Sequence, residues 1–297
     1  MNNKILKRAM ARIDERRHYA DDKARQNLQL ALKNPEFNNL FKLQKEQEIE
    51  LARREAYGEE VNYESINQIK NQQEVILRQL NLNGTDITPN YECKDCNDTG
   101  YINGSLCSCL KKEINKELFA YSGFTEKLAT FEMSTTNHPV YDLMQKWCNT
   151  KSSKINVLIS GHTGTGKTFL TQCIASRLME QNRVVLFTTA FNLNNALLNY
   201  HISFDPNRNQ IIEPFLNSEV LIIDDLGTEP MLKNVTKEYL YLIINERMLN
   251  HLPTILTTNL EMQDILVNYG ERIFSRLVNK KTSIALNLDG EDLRLKK

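Results

Sequence analysis

Ile155-Asn-Val-Leu-Ile-Ser160 runs without a break into Gly161-His-Thr-Gly-Thr-Gly-Lys-Thr168, and a helical pattern (Phe169, Leu170, Cys173, Ile174, Leu178) follows at once. An apolar β-rich run, a glycine loop and a helix in that order form a phosphate cradle: Gly161, Gly164 and Gly166 let backbone N–H groups approach, and the helix dipole favours the negative charge. His162, Thr163 and Thr165 complete the loop. Lys167 is expected to neutralise the β- and γ-phosphates of ATP and to hold little else, and Thr168 to ligate Mg²⁺.

Outward from this stretch, β-rich runs recur at Val184–Thr189, Val220–Ile223, Thr254–Thr258 and Ser283–Leu288, each but the last followed by a helix-like stretch. Strands alternating with helices imply an α/β fold on a parallel sheet. Val220-Leu-Ile-Ile-Asp-Asp-Leu-Gly227 sets two acids at the end of a buried strand, where a carboxylate is costly unless it meets a cation. Asp224 suits the magnesium shell and Asp225 the carboxylate that polarises the attacking water; the bland alternative is a capping pair for the next helix. Asp225 is shorter than the glutamate common at this position, which predicts slow hydrolysis. Asn259, closing the run from Thr254, is an amide expected to orient water between the first and third strands of the sheet. Arg272 and Arg276, four residues apart, share a helical face from which a guanidinium could enter a neighbouring subunit's ATP site; Arg294 lies further on.

Before residue 120 the pattern changes. Ile5, Ala9, Ile13, Ala20, Ala24, Leu28 and Leu32 stripe a long helix stopped at Asn34-Pro35; a second runs to Gly58, and a third is expected to end near Gly84. Residues 1–33 carry nine Lys or Arg against four acids, either a solvated face or a contact for phosphates or an acidic partner. Cys93-x2-Cys96 and Cys107-x-Cys109 then offer four soft ligands within 17 residues, with Gly100 and Gly104 free to turn the chain between the pairs. Four thiolates suit a closed, structural Zn²⁺ site, with an iron–sulfur cluster or unliganded thiols as the alternatives.

Thirty-seven Lys and Arg balance 37 Asp and Glu, so no overall cationic field draws in nucleic acid or anionic lipid, and any DNA contact must be local. The longest apolar runs fall short of a membrane span, the amino terminus lacks a secretory apolar core, and the thiols are clustered; a cytoplasmic protein without a membrane partner is expected.

CKDC with DTGYI and CSC, GHTGTGKT, LIIDDLG, the strand ending in TTN, GERIFSRL and GEDLR together resemble the AAA+ ATPases, within them the bacterial replicative helicase loaders of the DnaC and DnaI type and their relative, the transposition helper IstB. The resemblance covers about residues 90–297. It implies an AAA+ P-loop ATPase domain at 120–297, preceded by a helical module at 1–84, helicase-binding by its position, and a zinc-binding segment at 90–110. By residue, it makes Lys167 and Thr168 the Walker A pair, Asp224 and Asp225 the Walker B acids, and Asn259 sensor 1. Arg276 matches the arginine finger, with Arg272 as second choice, and Arg294 matches sensor 2. The implied partners are a hexameric replicative helicase, single-stranded DNA and further copies of the chain assembling on ATP. The alternatives are a transposition helper of the IstB kind and a zinc-bearing adaptor that senses ATP without hydrolysing it.

Overall fold

The computed structural model describes residues 3–122, 127–134, 138–150 and 156–290. Contacts divide the chain into two units, Ala11–Cys107, and Ser108–Lys297 together with Met1–Met10. No helix among the described residues is long and apolar enough to cross a membrane.

Three helices open the chain, α1 (Asn3–Leu32), α2 (Pro35–Ala56) and α3 (Glu64–Gln79). The stop at Asn34-Pro35 has a clear cause. Asn34 Oδ1 accepts the N–H groups of Glu36 (2.9 Å) and Phe37 (3.1 Å), and Pro35 stands at the first helical position, where no N–H partner is needed. Phe37 then packs with Ala31, Ile76 and Leu77. α3 ends five residues short of Gly84, because Asn81 takes the left-handed conformation (φ 58°) and the Leu82 N–H closes onto the Leu77 carbonyl at 2.9 Å. A short antiparallel hairpin, β1 (Tyr101–Ile102) and β2 (Ser105–Leu106), completes this unit.

The segment before the hairpin is fastened along α1. Tyr91 O–H donates to Asp21 (2.7 Å), Asn27 Nδ2 to the Asp86 carbonyl (3.0 Å), and Arg16 pairs with Asp98 (2.6 Å) and Glu92 (3.1 Å). At least one member of the basic surplus on residues 1–33, Arg16, is thus engaged within the fold.

In the second unit, α4 (Ser108–Tyr121) buries Leu110, Ile114 and Leu118 along one face. There follow α5 (Pro139–Asn149), β3 (Asn156–Ser160), α6 (Lys167–Glu180), β4 (Val185–Thr189), α7 (Ala190–Ile202), α8 (Asn209–Asn217), β5 (Val220–Leu226), α9 (Thr236–Leu249), β6 (Thr254–Thr258), α10 (Met262–Tyr269), α11 (Glu271–Leu277) and β7 (Ser283–Asn287). The sheet has the order β4-β5-β6-β3-β7 and every pairing is parallel. All residues of β3 and β6 are buried, so these strands read as continuous apolar or Thr-rich runs and not as alternation. Because β6 separates β5 from β3, the carboxyl ends of three strands converge on one edge, where open α/β sheets hold their ligands.

At the opposite edge lies Arg247 of α9, fully buried. Its guanidinium donates to the carbonyls of Phe215 (2.9 Å), Leu216 (3.2 Å), Ser218 (2.9 Å) and Pro253 (2.8 Å), and to the Thr254 hydroxyl (3.0 Å). Burial lowers its pKa to about 9, which leaves it charged at neutral pH.

Candidate functional site

The loop between β3 and α6 has little freedom. Gly161 (φ 151°) lies so close to the end of β7 that an added Cβ would stand 2.4 Å from the Leu288 carbonyl oxygen. Gly166 (φ 94°) starts α6 in the left-handed region, and its carbonyl accepts the Tyr141 hydroxyl at 3.1 Å. Thr165 is buried and its hydroxyl donates to the His162 carbonyl (2.9 Å), whereas His162 and Thr163 are exposed at the tip. Lys167 departs from expectation. It is buried, and Nζ donates to the carbonyls of Gly161 (2.8 Å) and His162 (2.6 Å), so it braces the loop.

Asp224 and Asp225 occupy a bulge. The β5–β6 register steps from Ile223 opposite Leu256 to Leu226 opposite Thr258, so one strand spends an extra residue there. Asp225 takes the left-handed conformation (φ 57°), and its N–H donates to Thr257 Oγ1 at 2.8 Å. Asp224 is 2% exposed; its Oδ1 accepts the hydroxyls of Thr257 (2.6 Å) and Thr171 (3.4 Å). Burial raises the Asp224 pKa, with hydrogen bonds from Thr257 and Thr168 working the other way. Thr168, expected to share a magnesium ion with Asp224, stands in the first turn of α6, and the Thr171 hydroxyl that reaches Asp224 also lies 2.9 Å from the Thr168 carbonyl. Thr171 of α6 carries no sign in the sequence, whereas Thr257 and Thr258, closing a central strand, are a usable sign that a polar group lies opposite.

Asn259 follows β6 and is exposed, at the strand end between those of β3 and β5. The two arginines differ. Arg276 donates from Nε and Nη2 to Asn245 Oδ1 (3.1 and 2.8 Å), from Nη2 to the Tyr241 hydroxyl (2.9 Å) and from Nη1 to the Arg272 carbonyl (2.9 Å), with its guanidinium 4.5 Å from the Tyr241 ring centroid. Arg272 is exposed, and its guanidinium makes no hydrogen bond or ion pair among the described residues. Arg294 lies outside the described residues.

The ligating sulfurs of Cys93, Cys96, Cys107 and Cys109 all lie within 4.8 Å of one another, Cys96 and Cys107 buried and the other two half-buried. A tetrahedral Zn²⁺ with bonds of about 2.3 Å sets its sulfurs about 3.8 Å apart, so the four thiols fit a single ion. Asp98, fully buried and left-handed (φ 52°), organises the first pair: it accepts the N–H groups of Glu92 (2.8 Å) and Cys93 (3.0 Å) as well as Arg16. Burial works to raise its pKa, but those bonds, Cys93 first, hold it below the ordinary carboxylate value.

A parallel sheet whose strand ends bring a glycine loop, a lysine, a threonine and two acids to one edge defines a P-loop nucleotide-binding protein. The IstB-like ATP binding protein family matches residues 126–297, and the chain belongs to it. It is similar to the replicative helicase loader DnaC of Escherichia coli (strain K12), 27% identical over 120 residues, 40% of this chain and 49% of that protein. With the replicative helicase loader DnaI of Bacillus subtilis (strain 168) it shares 27% identity over 192 residues, 56% of this chain and 58% of that one. A crystal structure of DnaI superposes with a TM-score of 0.46 at 20% identity, covering 57% of this chain and 94% of that one. An insertion sequence IS5376 putative ATP-binding protein of Geobacillus stearothermophilus is 30% identical over 146 residues, 48% of this chain and 57% of that protein. The chain thus spans about half the length of the curated relatives it matches.

Proposed function

We propose that this chain is an ATP-hydrolysing loader that delivers a hexameric replicative helicase to single-stranded DNA, its copies assembling on ATP. The observation that carries the reading is buried Asp224, tied to Thr257 and to Thr171 of the helix that follows the glycine loop, in a chain related to two helicase loaders and bearing a helical, cysteine-rich amino-terminal region. Loop N–H groups would take the phosphates, and Lys167 would exchange the Gly161 and His162 carbonyls for phosphate oxygens. Thr168 and Asp224 would hold Mg²⁺, which supplies charge neutralisation. Asp225 would polarise the water and Asn259 orient it. An arginine from a neighbouring copy would meet the developing charge: Arg276, once released from Asn245 and Tyr241, or the exposed Arg272. Arg294 would contact the nucleotide of its own subunit. Zn²⁺ held by the four cysteines would fix the local fold and take no part in the reaction.

Contact with single-stranded DNA has support at the end of α7. Phe204 is wholly exposed, Tyr200 and Tyr239 meet edge to face at 5.3 Å, His201 also meets Tyr239 edge to face at 5.8 Å, and the Arg208 guanidinium lies 5.3 Å from the Tyr200 ring centroid. Aromatic faces beside a cation suit unpaired bases without reading their sequence.

The test is steady-state ATP turnover of the full chain with and without single-stranded DNA, joined to capture of a purified replicative helicase in the presence of ATP. Slow turnover that responds to DNA, with helicase retained, is expected. No turnover would leave an ATP-sensing adaptor. Turnover with retention of a transposase in place of the helicase would favour the transposition helper, the reading supported by the IstB-like family and the IS5376 relative. Phe204→Ala should weaken single-stranded DNA binding by about 1–3 kcal/mol and leave ATP affinity unchanged; an unaltered DNA affinity in a filter-binding titration would remove this surface from the path.

A further inference from the structure

Glu229 is a buried carboxylate that nucleotide chemistry, as read above, does not use. It is 7% exposed, and among the described residues it makes no ion pair. Its two oxygens accept one donor each: Oε2 the Gly227 N–H at 2.8 Å, Oε1 the Tyr269 hydroxyl at 2.5 Å. A carboxylate withdrawn from water without a counter-charge is costly, so its lone pairs must do something that an apolar side chain would not.

The two donors belong to two different structures. Gly227 (φ 104°) turns the chain as it leaves the bulge of Asp224 and Asp225, in the left-handed region that favours glycine, and a Cβ there would stand 2.6 Å from Leu260 Cδ1. Tyr269 is the last residue of α10. Gly270 (φ 83°) follows it and starts α11, the helix of Arg272 and Arg276. Burial, with Glu229 beside it, pushes the Tyr269 phenol pKa upward, so it remains a donor. Beyond Glu229 the loop is tied elsewhere: Asn194 of α7 donates to the Pro230 carbonyl (2.9 Å) and accepts the Thr236 hydroxyl (2.7 Å). With that end fixed, displacement at Gly227 has a direct hydrogen-bonded route to α10.

We propose that Glu229 and Tyr269 are a positioning pair that couples the turn after Asp225 to α11, so that nucleotide at the strand ends sets where the arginines stand. The inference rests on the nucleotide site proposed above, and neither residue touches the reacting atoms.

Hydrogen exchange of the full chain, with and without a non-hydrolysable ATP analogue and Mg²⁺, tests it. In the unaltered chain the analogue should change exchange both at 224–229 and at 271–277. Tyr269→Phe should keep the first response and reduce the second by about fivefold or more, the lower range of an allosteric coupling. Glu229→Gln can accept the Gly227 N–H and donate to the Tyr269 oxygen, and should retain both. A Tyr269→Phe chain that keeps its response at 271–277 overturns the inference, as does an unaltered chain that responds at 224–229 alone. No response at 224–229 in the unaltered chain overturns the nucleotide site, and the inference falls with it. If Tyr269→Phe does not fold, Glu229→Ala against Glu229→Gln decides: loss in the first with retention in the second supports the pair, and equal responses overturn it.

Discussion

The nucleotide site gathers residues from Gly161 to Asn259 and the cysteine cluster from Cys93 to Cys109 alone, and the two are held by different forces. Around Asp224 the geometry comes from β3, β5 and β6, strands buried on both faces, and the polar groups are placed by register: Thr257 meets Asp224 because β6 lies beside β5 with one residue of bulge between them. Around Cys93 there is a hairpin of two residues a side, a run of left-handed turns at Asn97, Asp98, Gly100, Asn103 and Gly104, and one buried carboxylate. The first site is supported by a core that exists whatever binds there. The second has little apolar mass of its own, and small folds of that kind depend on their ligands.

The largest expected effect lies on the sheet side. Arg276→Ala should bind ATP almost normally and lose about 10³-fold in turnover, the scale of an arginine finger in other phosphoryl-transfer systems. Mixed with Lys167→Ala it should regain activity that neither variant has alone, since one supplies an intact pocket and the other an intact arginine. If Arg276→Ala alone turns over at the full rate, its bonds to Asn245 and Tyr241 are structural and Arg272 takes the role.

Next comes the thiol side. Cys93→Ser should lose the metal, roughly one Zn²⁺ per chain by atomic absorption, and raise amide exchange through residues 90–107, while ATP affinity changes by less than about twofold. A parallel loss of ATP affinity would show that the two sites are not held separately. Asp98→Asn touches no metal ligand side chain but weakens the Arg16 pair and the support of the Cys93 N–H; outer-shell changes of this type commonly cost about tenfold or more in metal affinity, to be read as zinc release to a colorimetric chelator. Release at the unaltered rate would mean that the turns alone set the thiols.

The smallest effect reverses sign with ligand. Folding raises the Asp224 pKa above its unfolded value, so the folded chain holds that proton more tightly and loses stability as the pH rises through the raised pKa. Asp224→Asn should therefore melt slightly higher than the unaltered chain at neutral pH without nucleotide, by on the order of 1 kcal/mol, and gain less from ATP and Mg²⁺. A lower melting point for the variant without nucleotide would show that Thr257 and Thr168 compensate the charge more fully than burial penalises it.

Local pattern carried most of the fold. The strands at Val220 and Thr254 are recognisable because complete burial makes them uninterrupted runs, and the helix break at Asn34-Pro35 because capping chemistry is a matter of adjacent residues. α3 ends ahead of Gly84 because a left-handed Asn81 can stop a helix as well as a glycine does. Thr257 is legible only as one of two threonines closing a strand, and Glu229 and Tyr269 are not legible at all, because their partners are fixed by strand register and by the approach of α10, which no spacing along the chain encodes. The arginines fall between these cases: spacing puts Arg272 and Arg276 on one face, but only the packing of α11 against α9 distinguishes the engaged guanidinium from the exposed one.

Arg247 gathers the carbonyls at the end of α8 and before β6 without a single acid among them. It therefore works as a rivet through three stretches of chain whose grip no carboxylate switch, and little change in salt, can loosen. A lysine there would offer one ammonium where a planar fork now meets acceptors from several directions. Remove the rivet and the expected failure is a seam opening at residues 215–218 and 253–254, on the edge of the sheet away from the phosphate loop. A protease would find the molecule there before any collapse of the nucleotide site.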